Sequence, residues 1–409
     1  MKNSGFFEQI GRDLLLKEAL FTKWFFNKEK MRIGIVCYPT FGGSGVVATE
    51  LGKALAKEGH EIHFITYRQP TRLDFFNENL FYHEVDIKSY PLFEHAPYEL
   101  ALASKMVNVV EFEKLDLLHV HYAIPHASAA YMAKQILKSQ GIEIPVVTTL
   151  HGTDITLVGK DPNYAPVVTF SINQSDGVTA VSEDLKKATF EHFDIKKDIE
   201  VIPNFIDLDR FKKQKKEHFK RAICPNDEKL LVHTSNFRKV KRVEDVIKVF
   251  FEIRKVLPSK LLLVGDGPER DKMERLCREL GTCEDTRFLG KLDAVEEVLS
   301  VSDLFLIPSE KESFGLAALE AMACEVPVLS SNAGGIPEVN IDGVTGFACP
   351  IGDIKEMTQK ALFILSDENL PGFKKRALAR AKEYDVSNIL PHYEKFYKET
   401  IEKTLTLTK

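Results

Sequence analysis

The sequence predicts an α/β protein of two doubly wound parallel-sheet domains facing each other across a cleft. Three observations predict it. The chain has 409 residues, more than one core normally serves. Short apolar runs rich in β-branched residues alternate with helix-like segments, the pattern of parallel strands joined by crossover helices. That alternation starts afresh after "PNFIDLDRF", so the chain divides near Pro203–Asp207. In such sheets ligands lie beyond the carboxyl ends of the strands, which puts the strand-to-helix turns of both halves on the cleft.

In the first half, "RIGIVCYP" after Met31 is the opening strand. A glycine turn follows, then a helix from Val46 to Lys57. "EIHFITY", "LFYHEVDI", "LLHVHY", "PVVTTLH", "GVTAVS" and "IEVIPNF" are further strands, several separated by helical stretches such as "ELALASKMVNVVEFEKL". The second half reads "KLLVHTSN", "KLLLVGDG", "TRFLG", "DLFLIPS", "VPVLSSN" and "GFACP", with helices between and after them. The expected domains are 31–205 and 206–387, with a terminal helix near 388–405 packing back on the first. Residues 1–30 carry the single tryptophan, Trp24, among phenylalanines and charges of both signs. They lack the apolar core and small-residue cleavage site of a secretory signal and are expected to precede the fold. A surface-seeking amphipathic helix is the alternative there.

Composition narrows the function classes. Hydrophobic content of 44% and charged content of 28% are ordinary for a globular protein. A net charge of −5 gives no reason to expect nucleic acid as a partner. The basic run Arg210–Arg221 is expected to be a solvated helix face or linker. No apolar run reaches the ~18 residues of a membrane span, so stable insertion is not expected. The six cysteines are scattered, without metal-type spacing, which suits a reducing cytoplasm. A homo-oligomer is left open.

Chemistry concentrates at the turns. "PTFGGSGVV" places Gly42, Gly43, Ser44 and Gly45 between a strand and a helix, where helix amides favour phosphate. It lacks both the Lys-Ser/Thr of a P-loop and the last glycine of the dinucleotide fingerprint. "TTLHGTD" ends a strand with His151, Gly152, Thr153 and Asp154, and "LLHVHYAIPHA" adds His119, His121 and Tyr122. The HxH pair has no carboxylate nearby in sequence, so no metal is expected. "SNFRKVKR" gathers Arg238, Lys241 and Arg242 where a helix begins. Cations there oppose the helix dipole, and a bound diphosphate would explain them. "LLLVGDGPER" is a second glycine turn, with Gly265 and Gly267.

"SEKESFGLAALEAMA" sets Glu312 at the mouth of a strand–helix turn and Glu320 two turns into the helix. The stretch is otherwise nearly all apolar. A carboxylate there is costly unless paired or bonded to a ligand, and sugar and ribose hydroxyls would satisfy both.

"ESFGLAALE" has the E-x7-E pattern of retaining GT-B glycosyltransferases, and "GGSG", "HGTD", "PNFID", "SNFRKVKR", "VGDGPE" and "GGIPEV" occur in that family's order. From Met31 to the C-terminus the chain resembles this family of bacterial nucleotide-sugar hexosyltransferases. "CYPTFGGSGVVATELGKALAKEGHEIHFIT" and "HYAIPHA" resemble its bacillithiol-pathway branch more closely. The resemblance implies a GT-B fold and transfer of GlcNAc from UDP-GlcNAc to the hydroxyl of L-malate, without a metal cofactor. A lipid, polysaccharide or phosphorylated polyol acceptor is the alternative. It implies that Glu320 binds ribose and that Glu312 binds the donor sugar. Gly43, Asn204, Gly265, Ser313, Phe314, Gly315 and Leu316 would complete the donor site. Lys241 and Arg238 would hold the diphosphate, although the family's usual arginine position is Asn236 here. His151 would sit near the reacting carbon, with Ser44, Tyr122 and Thr153 toward the acceptor.

Overall fold

The computed structural model describes residues 30–407, apart from 41, 74–75, 88–95 and 215. The segment expected to precede the fold lies outside the described residues, except Lys30.

The first sheet holds seven parallel strands: β1 (Arg32–Val36), β2 (Glu61–Thr66), β3 (Leu80–Glu84), β4 (Leu117–His121), β5 (Val146–Leu150), β6 (Gly177–Ala180) and β7 (Glu200–Val201). Their order is β3-β2-β1-β4-β5-β6-β7. The second sheet has β8 (Lys229–Thr234), β9 (Ser259–Val264), β10 (Thr286–Gly290), β11 (Leu304–Ile307), β12 (Val328–Ser331) and β13 (Gly346–Cys349). Its order is β10-β9-β8-β11-β12-β13. The central strands β4, β5 and β11 are buried along their whole length, as helices on both faces of a parallel sheet require.

Each sheet reverses its winding direction once, between β1 and β4 in the first and between β8 and β11 in the second. At these switch points the turns leaving neighbouring strands diverge and open a crevice. The turns concerned follow β1, β4, β8 and β11, and they carry Tyr122, Arg238, Lys241, Glu312, Ser313, Phe314 and Gly315 among the residues singled out above.

Two observations correct the expected elements. The first helix spans Gly43–Lys57, three residues earlier than Val46, so Gly43, Ser44 and Gly45 form its first turn. Gly45 is required by packing, because a Cβ there would lie 2.3 Å from the Tyr38 carbonyl oxygen. The helix after β11 begins at Leu316, which puts Glu320 one turn in rather than two.

The closing helix, Val386–Leu407, returns to the first domain. Tyr393, Tyr397 and Ile401 are buried there against Ile33, Ile35 and Leu51. The Tyr397 hydroxyl also bonds His119 Nδ1 at 2.8 Å. The outgoing and returning crossings are pinned side by side. Ile206 N donates to Tyr384 O, and Val386 N donates to Ile206 O, both at 2.9 Å.

The basic run is more than a solvated face. Lys220 Nζ lies 2.7 Å from buried Asp303, which Lys374 also contacts, and Lys216 pairs with Glu297 at 2.6 Å.

The returning helix is thus part of the first domain's core. Tyr397→Ala should destabilise the protein by about 3–5 kcal/mol, the range for emptying a buried aromatic site. Tyr397→Phe, which loses only a hydrogen bond, should cost about 1 kcal/mol. Urea denaturation measures both, and equal losses would show that the ring is not what the core needs.

Candidate active site

At the second sheet's switch point Lys241 ends a short 3-10 turn, Lys239–Lys241, and Glu312 lies in the turn after β11. Their side chains form a salt bridge through Lys241 Nζ and Glu312 Oε1. The Ser309 hydroxyl donates to the same Oε1 at 2.9 Å. Both residues are half-buried, so the pair is worth more than a surface contact yet stays within reach of a ligand. The glycines of "GGIPEV" support this turn: Gly335 N donates to Glu312 O at 2.9 Å, and a Cβ on Gly334 would strike that carbonyl at 2.1 Å.

Glu320 is buried, with 8% of its surface exposed. Burial pushes its carboxyl pKa up, and the charge of Arg72 and its hydrogen bond pull it back. Arg72 belongs to the first domain, and its guanidinium reaches Glu320 Oε1 at 3.3 Å across the seam. Arg210, on the linking segment, extends the network to Glu50 at 3.8 Å and Glu296 at 3.5 Å. Sequence reasoning missed Arg72. A pair 248 positions apart leaves no periodicity to find.

The first domain contributes the turns after β1, β4 and β5. Ser44 Oγ and the Tyr122 hydroxyl are 2.6 Å apart. Burial pushes the Tyr122 phenol up to about 12, opposed by the Ser44 bond and by Arg238, whose charge therefore acts across the seam. Asp154 organises this end of the sheet. Its carboxylate accepts from Ala123 N at 2.9 Å, Gly152 N at 3.0 Å and His151 N at 3.3 Å. His151 is buried, and its Nε2 meets His121 Nδ1 at 2.8 Å. Thr153 and Gly43 are exposed. A Cβ on Gly43 would meet no atom within 4 Å, so packing does not explain that glycine.

The two halves touch directly. Gly152, at φ +105, lies so close to Ser313 that a Cβ would fall 1.7 Å from its Oγ. The Ser182 hydroxyl donates to Ser313 O at 2.6 Å. Glu338 accepts from the amides of Glu183 at 3.0 Å and Asp184 at 2.9 Å. Gly152 of "HGTD" thus serves the domain contact, a role its sequence context did not suggest.

The remaining candidates fall as follows. Asn204 is buried on the linking segment, and its Oδ1 has no partner among the described residues. Ser313 is half-buried, Phe314 is buried in the core, and Gly315 caps the helix at φ 96, with Leu316 its first residue. Gly265 packs on the neighbouring turn, where a Cβ would meet Ser235 O at 1.7 Å. Arg238 is exposed. Arg242 has a local partner after all, bonding Asp245 at 2.6 Å from the head of the next helix.

His119 and His121 both have protein partners. His119 bonds Thr149 Oγ1 at 2.7 Å and Tyr397, while His121 faces His151. Among the described residues the group with ligand spacing is His63, His83 and Glu113. His63 Nδ1 and His83 Nε2 are 3.0 Å apart with ring centroids 5.3 Å apart, so the two nitrogens point along one line at each other. That is the geometry of a hydrogen bond between the two rings.

Comparison with known proteins agrees with this architecture. Residues 41–210 match the model of Glycosyltransferase Family 4, and residues 214–383 match that of Glycosyl transferases group 1. The chain is 49% identical over 375 residues to N-acetyl-alpha-D-glucosaminyl L-malate synthase of Bacillus anthracis, covering 91% of this chain and 98% of that one. It is 30% identical to an uncharacterized glycosyltransferase of Methanocaldococcus jannaschii, covering 77% of this chain and 84% of the relative. Among solved structures, Anabaena HepE in complex with UDP and glucose superposes with a TM-score of 0.75 at 20% identity, over 89% of this chain and 98% of that one.

The buried histidines make stability depend on pH. Burial holds His119 and His151 down to about 3, His126 to about 4, and His121 well below its ordinary value. The folded state then binds fewer protons than the unfolded one. The stability is complete above the unfolded value of 6.5 and is lost as pH falls toward 4. Each histidine contributes about 1.4 kcal/mol per pH unit within that window. Asp154, raised to about 6 by burial, acts in the opposite sense and offsets one of the four. Urea-unfolding free energy should therefore fall steeply from pH 6.5 to 4.5, and a flat profile would contradict the neutral cluster.

Proposed function

The chain belongs to the GT-B glycosyltransferases of family 4 type, and from that premise we propose that it moves GlcNAc from UDP-GlcNAc to the hydroxyl of L-malate with retention of configuration. The observation that carries this reading is the 49% identity, over nearly the whole of both chains, to the Bacillus anthracis synthase of that product. The six free cysteines, five of them buried, suit a reducing cytoplasm for the reaction.

The geometry is compatible with the following mechanism. The donor's diphosphate lies at the second switch point, between Lys241 and the amides of Ser313–Leu316. The first turns of the Gly43–Lys57 helix, through Val46, Val47 and Glu50, line a cavity with Leu316 and Glu320 from the other domain. Donor binding exchanges partners: Lys241 passes from Glu312 to the diphosphate, and Glu312 passes to sugar hydroxyls. Glu320 turns from Arg72 to the ribose.

The malate hydroxyl attacks the anomeric carbon on the face the diphosphate leaves. Its proton goes to the departing phosphate oxygen, and the new C–O bond forms as the old one breaks. Lys241, Arg238 and the helix amides hold the growing charge, which is electrostatic catalysis with positioning and gives no metal a part. Ser44, Tyr122 and Thr153 border the acceptor. Arg238, whose field already reaches Tyr122, is the cation placed to meet an acidic acceptor as well.

UDP release with L-malate should far exceed release with water, with a lipid, polysaccharide or polyol phosphate acceptor, and should persist in EDTA. Release with malate no faster than with water would remove the malate acceptor. Lys241→Ala should lower kcat by about 100-fold, the scale of losing one charge-stabilising donor, with a smaller change in KM. Glu320→Ala should act mainly on the KM for UDP-GlcNAc, and steady-state kinetics separates the two.

A further inference from the structure

His121 is the last residue of β4, is completely buried, and takes no part in the mechanism just described. Its Nδ1 lies 2.8 Å from Nε2 of His151, and its own Nε2 is buried with no partner among the described residues. His126 Nδ1 bonds the His121 backbone carbonyl, which anchors the main chain at this strand end. The rings of His121 and His151 are nearly parallel, 25° apart with centroids 5.0 Å apart.

Two neutral imidazoles sharing one contact can place the shared proton in only two ways. If His151 Nε2 carries it, His121 must carry its own proton on Nε2, a buried N–H with nothing to accept it. If His121 Nδ1 carries it, the unpartnered Nε2 is a bare lone pair, and His151 must hold its proton on Nδ1. Orphaned buried N–H groups are rarer than under-used acceptors, so the second arrangement wins. His151 Nδ1 has no bond to any described residue, and its ring lies 5.3 Å from that of Tyr122 at the cleft.

We propose that His121 is a positioning residue that locks His151 in the Nδ1–H tautomer, so that His151 presents a hydrogen-bond donor, not a base, to the bound sugar. A donor suits this site. A front-face reaction gives the acceptor's proton to the leaving phosphate, so a base at His151 would compete for it, whereas a neutral N–H orients a sugar hydroxyl. Burial keeps both rings unprotonated through the physiological range, so the assignment does not change with ordinary pH.

The role toward the sugar rests on the donor placement proposed above, but the tautomer can be read without any reaction. Long-range proton–nitrogen NMR of the 15N-histidine-labelled full chain distinguishes the protonated ring nitrogen from the bare one, with signals assigned by His121→Asn and His151→Asn. The expected spectrum has Nδ1 protonated in both residues. A His151 protonated on Nε2 overturns the proposal, whatever the enzyme's substrates prove to be.

In kinetics, His121→Asn can still donate from its amide near the Nδ1 position, while His121→Leu cannot. The leucine variant should lose about tenfold or more in kcat, the scale of a mispositioned contact, with the KM for UDP-GlcNAc little changed. The asparagine variant should recover most of that loss. Equal losses in the two variants, or none in the leucine variant, would also overturn the proposal.

Discussion

A carboxylate taken out of water must be matched by a cation or by hydrogen-bond donors, and the two glutamates of the helix–turn after β11 answer to that constraint with cations from different domains. Glu312 is matched within its own domain by Lys241. Glu320 is matched from the other domain by Arg72. In an apolar segment neither charge could be kept unpaired, because the desolvation penalty is several kcal/mol per ion. On the donor placement proposed above, a nucleotide sugar offers both pairs the same chemistry, hydroxyls for the acids and phosphates for the lysine. The internal partners and the donor would then compete for the same groups, and release of the Arg72–Glu320 contact would be linked to occupation of the cleft.

The rest of the seam limits how the halves can rearrange. A single apolar cluster runs through it, from Val178, Ala180 and Leu185 of the first domain to Val232, Phe305 and Phe314 of the second. Gly152 lies against Ser313, and Glu338 caps the helix that starts at Glu183. The chain crosses between domains at two points tied to each other by paired backbone bonds. A hinge rotation between the two sheets would have to turn about that tie.

Much of the fold was legible in the sequence because parallel strands buried on both faces read as short unbroken apolar runs. Their alternation with helices implies parallel sheets whose strand-to-helix turns share one edge, while the strand order and switch points appear only in the structure. The turns themselves could be named in advance from that alternation. What could not be read was the partner of each group. The early start of the first helix escaped because Gly43, Ser44 and Gly45 carry no helical periodicity. Gly152 read as part of a ligand turn, while its φ of +105 and its contact with Ser313 arise only when both domains are assembled. Arg72 and His121 act on Glu320 and His151 through contacts between distant positions, and no local pattern records those.

The account turns on one placement: a nucleoside diphosphate held at the second sheet's switch point, with Lys241 drawn from Glu312 onto its phosphates. A crystal structure of the protein soaked with UDP tests it most directly. The expected density sets a phosphate oxygen within hydrogen-bond distance of Lys241 Nζ and the ribose hydroxyls on Glu320, with Arg72 displaced. A nucleotide bound elsewhere, with both original ion pairs still formed, would contradict it.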